Sequence, residues 1–242
     1  MTATAMYVTV DTFDENKIVF DNIAKYSEPI AYKKNPIKYM YENNREGPLI
    51  IRTHKMFTYG ILENRDMKTG EIHGYSLPLA SYDKNNGRTK DDEKFYNMIE
   101  CITRLCRDYV CRNEERLKSK ACKHMNTESL SIWKYKEDTT KYAPAMFIKL
   151  MTKHRKPIEI YTPFKKITKD KKIVAVDDVQ HYIRKPCMVM AALKIDNIFI
   201  GTSIMSIQVK MYEVLIVREI EKMSVFSDDE KFQLLTTNHS SL

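Results

Sequence analysis

The chain has 242 residues, of which 43% are hydrophobic and 30% charged, and its formal net charge is +8. This composition excludes a mainly disordered chain, and the length allows a domain with a sizeable core. Only six glycines are present, which argues against a glycine-rich phosphate-binding loop.

The positive charge is concentrated in the middle of the chain. Residues 141–173 contain ten basic and two acidic residues, whereas residues 1–30 and residues 219–231 each contain five acids and two lysines. This asymmetry predicts an anionic partner for the middle, with nucleic acid favoured over a membrane surface.

Five cysteines, an odd number, and an N-terminus without a basic leader predict free thiols in an intracellular, reducing compartment. Charged residues interrupt the longest apolar stretches, so we expect neither a membrane span nor a membrane partner.

The first half of the chain is predicted to form strands. A short apolar run at residues 17–20 precedes a predicted Lys/Asn/Pro-rich loop over residues 32–48. The runs "PLIIRTHKMFTYGIL" and "EIHGYSLPLA" flank the polar stretch "ENRDMKTG", which predicts a hairpin. Residues 81–90 predict a second loop.

One long helix is predicted from Asp91 and Asp92, which can cap it, to about residue 118. Apolar side chains recur there with the 3.6-residue period of a single helix face. The members of this face are Phe95, Met98, Ile99, Ile102, Leu105, Cys106, Tyr109 and Val110. Residues 119–140 show no clear pattern.

Alternating patterns follow the helix. "PAMFIKL" predicts a strand with Met146, Ile148 and Leu150 on one face and Phe147 and Lys149 on the other. "PIEIY" is predicted to pair with it as a hairpin across the turn "THRK".

The remaining runs predict three strands, "CMVMAALKI", "NIFIG" and "SIQVKMYEVLIV", with a turn at residues 196–197. Residues 227–230 resemble the cap of a short C-terminal helix. The resulting fold class is α+β, mostly antiparallel. One long helix between two groups of strands is the plan of an OB-fold-like barrel, here elaborated by additional strands.

The strongest candidate site is the basic and aromatic stretch that follows the helix. Its cations can bind phosphates and its flat rings can stack on unpaired bases, although the same pattern is also typical of a solvated sheet face. The candidate residues are Phe147, Lys149, Arg155, Lys156, Tyr161, Phe164, Lys165, Lys166, Lys171 and Lys172.

A second group of candidates combines fewer charges with aromatic rings. It consists of Arg52, Lys55, Phe57, Tyr59 and Trp133. Trp133 and Tyr135 are predicted to share one strand face, but a single tryptophan is more often a core residue than a stacking platform.

Metal and catalytic signals are weak. Cys101, Cys106 and Cys111 are five residues apart on the helix, which rotates each by about 140° from the last and prevents convergence on one ion. No hydrolase, nucleotide-binding or metalloprotease motif is found. We therefore expect no cofactor, no metal and no enzymatic activity.

In the order of its features the chain resembles the OB-fold single-stranded-DNA-binding proteins of large nucleocytoplasmic DNA viruses, of the asfarvirus type. The likeness covers most of residues 45–217 and lies in "GPLIIRTHKMFTYGI", "DEKFYNMIECITRLCRDYV", "APAMFIKL…PIEIYTPF" and the terminal strands. Residues 114–141 depart from the pattern. The first forty residues differ in length and content.

The resemblance implies sequence-nonspecific binding of single-stranded DNA during viral DNA replication, repair or recombination, at the viral replication site in the host cytoplasm. RNA is an alternative ligand. Residues 1–242 are then one domain with an N-terminal extension (about 1–45) and an acidic C-terminal segment (about 219–242). This segment could recruit replication proteins or fold back on the basic groove. A homo-oligomer is also compatible with the sequence. The alternatives are a packaging protein that coats double-stranded nucleic acid, an interaction protein that docks on an acidic partner, and a metal-dependent nuclease.

Overall fold

The computed structural model describes residues 6–26, 32–83, 87–117, 130–135, 143–153, 158–201 and 204–220. The strands are β1 (Ile18–Phe20), β2 (Ala24–Tyr26), β3 (Tyr32–Met40), β4 (Glu46–Arg52), β5 (Met56–Thr58), β6 (Leu62–Arg65), β7 (Ile72–Ala80), β8 (Ala145–Leu150), β9 (Thr152–Lys153), β10 (Glu159–Ile160), β11 (Phe164–Ile167), β12 (Ile173–Ala175), β13 (Cys187–Ile200) and β14 (Met205–Glu219). The helices are α1 (Lys90–Arg112) and α2 (Glu114–Leu117), with 3-10 turns at Glu15–Lys17, Glu42–Asn44 and Val179–Tyr182.

Twelve of these strands form one sheet, and β9 and β10 form a separate pair. Five strands pair in a circuit, in which β13 pairs with β5, β5 with β7, β7 with β8, β8 with β14, and β14 with β13. Only the pairing of β8 with β14 is parallel within this circuit. The predicted class, α+β and mostly antiparallel with one long helix, is confirmed, and α1 lies between β7 and β8 in the chain.

The core is built by the alternation of the long strands. In β13 the side chains from Cys187 to Ile195 alternate between buried and half-buried, as expected for a sheet with one face on the core. Met146, Ile148 and Leu150 of β8 are buried while Phe147 and Lys149 are exposed, which confirms the predicted faces of this strand.

Helix α1 packs its predicted apolar face into the same core. Phe95, Ile99 and Ile102 are fully buried. The helix begins one residue earlier than predicted, because Thr89 and not the Asp91–Asp92 pair is the N-cap. Asp92 completes a capping box by accepting from the backbone N–H of Thr89 at 2.7 Å.

The predicted loop over residues 32–48 is wrong. These residues form β3 and the start of β4, and Ile37 and Tyr39 of β3 are buried. The composition concealed the strand because Lys, Asn and Pro fill its other positions. Pro36 is accommodated although it has no N–H to donate, and its carbonyl accepts from the N–H of Asp21.

Two further connections differ from the prediction. There is no turn at Asp196 and Asn197, since β13 continues through them with a register shift between Ile195 and Asn197. The strand β8 does not pair with β10, because its two edges are taken by β7 and β14 and only the short β9 pairs with β10. A hairpin around the polar stretch 63–70 is confirmed, but its first strand β6 (Leu62–Arg65) takes up the start of the predicted turn instead of the whole run 48–62. The predicted C-terminal helix cap lies outside the described residues.

Within the described ranges, no helix has both the length and the apolar character needed to cross a membrane.

Candidate nucleic-acid interface

Three lysines lie side by side on the outer face of the sheet. Lys149 of β8 is in register with Lys210 of β14, and Lys210 is in register with Lys194 of β13. Neighbours in register point to the same face of a sheet and are about 5 Å apart. We call Lys149, Lys210 and Lys194 the lysine row.

Asp196 forms ion pairs with two of the three lysines. Its carboxylate forms ion pairs with Lys194 at 2.6 Å and Lys210 at 2.7 Å, and its side chain is only 14% exposed. Burial raises the pKa of Asp196, but the two ammonium groups outweigh burial and hold the pKa below its usual value. Lys149 has no acidic partner among the described residues. The row and its aspartate therefore carry a net charge of about +2.

Exposed aromatic rings flank the lysine row. Phe147 precedes Lys149 by two residues on β8 and is 47% exposed, and Tyr212 follows Lys210 by two residues on β14 and is 48% exposed. Tyr212 points outward like Lys210, with the buried Met211 between them, and it is the extra residue of a bulge opposite Ala192 and Leu193.

Tyr161 lies at the end of the same two strands and is 49% exposed. Its N–H donates to the carbonyl of Met151, the residue after β8, at 3.0 Å. Because Met211 is in register with Leu150, Tyr212 follows at the level of Met151. The rings of Phe147, Tyr161 and Tyr212 thus belong to one surface with the lysines.

Sequence reasoning identified Phe147, Lys149 and Tyr161 but missed Lys194, Lys210 and Tyr212. Lys194, Lys210 and Tyr212 belong to long strands whose alternate residues are aliphatic, a pattern that indicates core strands and not a binding surface. The spacing of Lys210 and Tyr212 on one strand face was the available signal.

Beyond β13, the surface continues to Arg52 of β4. Arg52 is opposite Ala192, two residues from Lys194, so both point to the outer face. Its guanidinium lies 4.5 Å from the ring centroid of Tyr7 and donates to the Tyr7 hydroxyl at 2.8 Å. A cleft of about 690 Å³ opens beside them and is also lined by Lys17, Tyr39, Tyr41, Glu42 and Arg45.

Three other candidates lie on and beside β5. Lys55 is exposed, and Phe57 is half-buried with its ring 4.8 Å from that of Tyr59 in an edge-to-face contact. Tyr59 is 43% exposed. Phe57 pairs in register with Met188 near the other end of β13, so this group lies apart from the lysine row.

The remaining basic candidates fall on the hairpin of β11 and β12. Lys165 is engaged by Glu213 at 2.7 Å, whereas Lys166, Lys171 and Lys172 are exposed and have no ion pair among the described residues. Arg155 and Lys156 lie outside the described residues.

Phe164 and Trp133 were predicted to stack on bases, and this prediction is wrong because both side chains are buried. Phe164 is 4% exposed because it pairs with the core residue Val214 at the start of β11. Trp133 is 1% exposed and stacks on Tyr96 of α1, with ring centroids 5.4 Å apart. Tyr135 is 54% exposed, so it does not share the environment of Trp133 as predicted.

The helix cysteines occupy three different environments, with Cys101 half-buried, Cys106 buried and Cys111 exposed. Within the part of the chain that the structure describes, no three His, Cys, Asp or Glu side chains are grouped to hold a metal ion. Burial raises the pKa of the Cys106 thiol to about 12, as expected for a packing residue.

Comparison with known proteins places the chain among viral proteins. It is 26% identical over 221 residues to the "Early 31 kDa protein" of Frog virus 3 (isolate Goorha), which covers 86% of this chain and 79% of that protein. This similarity indicates a protein of a large DNA virus. A family model described as "Protein of unknown function (DUF2738)" matches residues 12–238, and the chain belongs to this family.

Proposed function

We propose that this protein binds single-stranded DNA without sequence preference and without catalysis. The observation that carries the proposal is the lysine row, with Phe147, Tyr161 and Tyr212 exposed around it. The ammonium groups bind phosphates, and the rings stack on bases. By the resemblance to viral single-stranded-DNA-binding proteins, the role is to protect DNA during replication, repair or recombination.

The spacing of the surface suits a strand that runs across the sheet. From β8 through β14, β13 and β4 to the segment at Val8 there are four strand spacings, or about 19 Å. At about 3.4 Å per stacked nucleotide this length accommodates about six nucleotides, and fewer if the strand is extended. Such a size lies within the range of about 4–16 nucleotides for one OB fold.

Exposed rings favour a single strand over a duplex. Phe147, Tyr161 and Tyr212 each expose about half of their surface, and a base can stack on such a ring only when it is free of its own partner. Stacking engages the face that all bases have in common, so binding tolerates any sequence.

The circuit of five strands supports an OB-type barrel as the scaffold. In chain order the strands are β5, β7, β8, β13 and β14, yet β14 lies between β8 and β13. A closed, non-sequential order of five strands is the arrangement of a Greek-key barrel, to which the OB fold belongs. The helix between the second and third of these strands and the added strands β1–β4, β6 and β9–β12 make it an elaborated version.

A salt titration with oligo-dT tests the electrostatic contribution. For a single strand, the slope of log Kobs against log salt is about −0.7 for each neutralised phosphate. Lys149→Ala should therefore make the slope less negative by about 0.7 and weaken binding to every sequence alike. Lys90→Ala, which changes the same charge on the exposed start of α1, is the matched control. An equal effect of the two variants would refute the assignment of the lysine row.

Phe147→Ala tests stacking on the same surface. We expect a loss of about 1–3 kcal/mol of binding free energy for poly-dT and mixed sequences alike, with an unchanged salt slope. Loss of binding to one sequence alone would indicate base readout and contradict the proposal.

A further inference from the structure

The strand β12 ends the sheet with a free edge. It pairs with β11 on one side, and no described residue pairs with it on the other. All three of its residues are exposed, with Ile173 at 60% and Val174 at 37%. An exposed apolar edge strand is a template for pairing with another strand.

The hydrogen bonds of the hairpin show which backbone groups face that edge. The N–H of Val176 donates to Phe164, and the carbonyl of Lys172 accepts from Thr168. Because bonding alternates along an antiparallel pair, the N–H and C=O groups of Ile173 and Ala175 point away from β11. Among the described residues, nothing bonds to these four groups.

The sequence around β12 has charges of opposite sign at its two ends. Lys171 and Lys172 precede it, and Asp177 and Asp178 follow it. All four are exposed and none forms an ion pair among the described residues. In an antiparallel pair of two identical segments, the basic end of each copy lies beside the acidic end of the other.

We propose that two copies of this chain associate by antiparallel pairing of their β12 edges about a two-fold axis at Val174. In this register Ile173 of each copy lies opposite Ala175 of the other, so all four free backbone groups of each copy bond across the interface. Just beyond the paired strands, Lys171 and Lys172 of each copy lie near Asp177 and Asp178 of the other, and the two-fold axis repeats this contact of opposite charges. An interface with the same patch on both subunits is the commonest symmetric association.

Complementary charge reversals test this pairing in sedimentation velocity without DNA. The wild-type chain should show a concentration-dependent dimer. Lys171→Asp and Asp177→Lys should each weaken it by at least about tenfold, since each replaces two attractive contacts with two repulsive ones. An equimolar mixture of the two variants should recover the dimer, because both contacts are again of opposite sign. This recovery also shows that the variants are folded.

A disulfide trap reports the register even when the dimer is weak. Val174→Cys places two thiols opposite each other across the axis, at a separation of about 4.5–5.5 Å between Cβ atoms, and should form a covalent dimer under mild oxidation. Lys169→Cys, in the turn of the hairpin, should not exceed the wild-type background from the exposed Cys111. A wild-type chain that stays monomeric and an untrapped Val174→Cys variant would overturn the proposal. So would single variants that dimerise like the wild type, or a mixture that stays monomeric.

Discussion

Replacement of Asp196 should increase the affinity of the protein for DNA. Its carboxylate lies 2.6 Å from the ammonium of Lys194 and 2.7 Å from that of Lys210, so under the proposed function it competes with phosphates for both. Asp196→Asn keeps the size of the side chain and removes one negative charge from the surface. A gain of affinity is a sharp test, because a damaged fold does not bind its ligand more tightly.

The magnitude follows from Coulomb's law. A phosphate bound to either lysine would lie about 6 Å from the carboxylate, and two unit charges at that distance repel by about 0.7 kcal/mol at the dielectric constant of water. Removal of this repulsion strengthens binding about threefold. Since Asp196 is only 14% exposed, screening is incomplete and the water value is a lower bound.

The assay is fluorescence anisotropy with labelled oligo-dT at several salt concentrations. We expect Asp196→Asn to bind at least about threefold more tightly at low salt, with a salt slope more negative by about 0.7 as one more phosphate is neutralised. Asp108→Asn is the matched control, because it removes the same charge from an exposed pair with Arg104 on α1. Unchanged affinity and slope, or an equal gain in both variants, would refute the role of the lysine row.

Three further substitutions separate binding from stability. Tyr212→Ala should weaken binding to all DNA sequences by about 1–3 kcal/mol, with little change in the free energy of unfolding. Anisotropy measures the binding and urea unfolding the stability. Preserved affinity would remove Tyr212 from the site. Trp133→Ala should lower the free energy of unfolding by about 3–5 kcal/mol because the ring is buried, while the folded fraction binds DNA normally. Loss of DNA binding at full stability would instead show that Trp133 contacts DNA. Burial raises the pKa of Asp92, but hydrogen bonds from Thr89 and His54 outweigh burial and lower the pKa below its usual value. The ionised form of Asp92 therefore stabilises the fold above the unfolded pKa of about 3.9. This contribution to the free energy of unfolding is lost as the pH falls through the folded pKa. Asp92→Asn should accordingly reduce the free energy of unfolding at neutral pH, and the difference from wild type should shrink in acid; a constant difference across that range would contradict the assignment.

Local patterns predicted the elements whose signal lies within one segment. The apolar face of α1 and the two faces of β8 follow from the period of a single run of residues, and the β6–β7 hairpin from two neighbouring runs around a polar turn. The strand β3 was missed because only alternate positions are apolar, and Lys, Asn and Pro elsewhere in it suggest a loop.

The candidate surface was only half predictable, because it is assembled by pairing between distant segments. Lys149 could be assigned to a basic strand face from its neighbours in sequence. Its registration with Lys210 depends on a parallel pairing of β8 with β14, which no local pattern encodes. Burial of Trp133 likewise depends on Tyr96 of α1, more than thirty residues earlier in the chain.

The central claim is that the exposed rings and the lysine row select a single strand. Competition between single- and double-stranded DNA of equal length and sequence, measured at one salt concentration, tests it most directly. The structure predicts that unlabelled single-stranded DNA displaces a labelled oligonucleotide at a much lower concentration than the duplex does. Equal displacement by the two would contradict the claim and indicate a protein that coats duplex DNA.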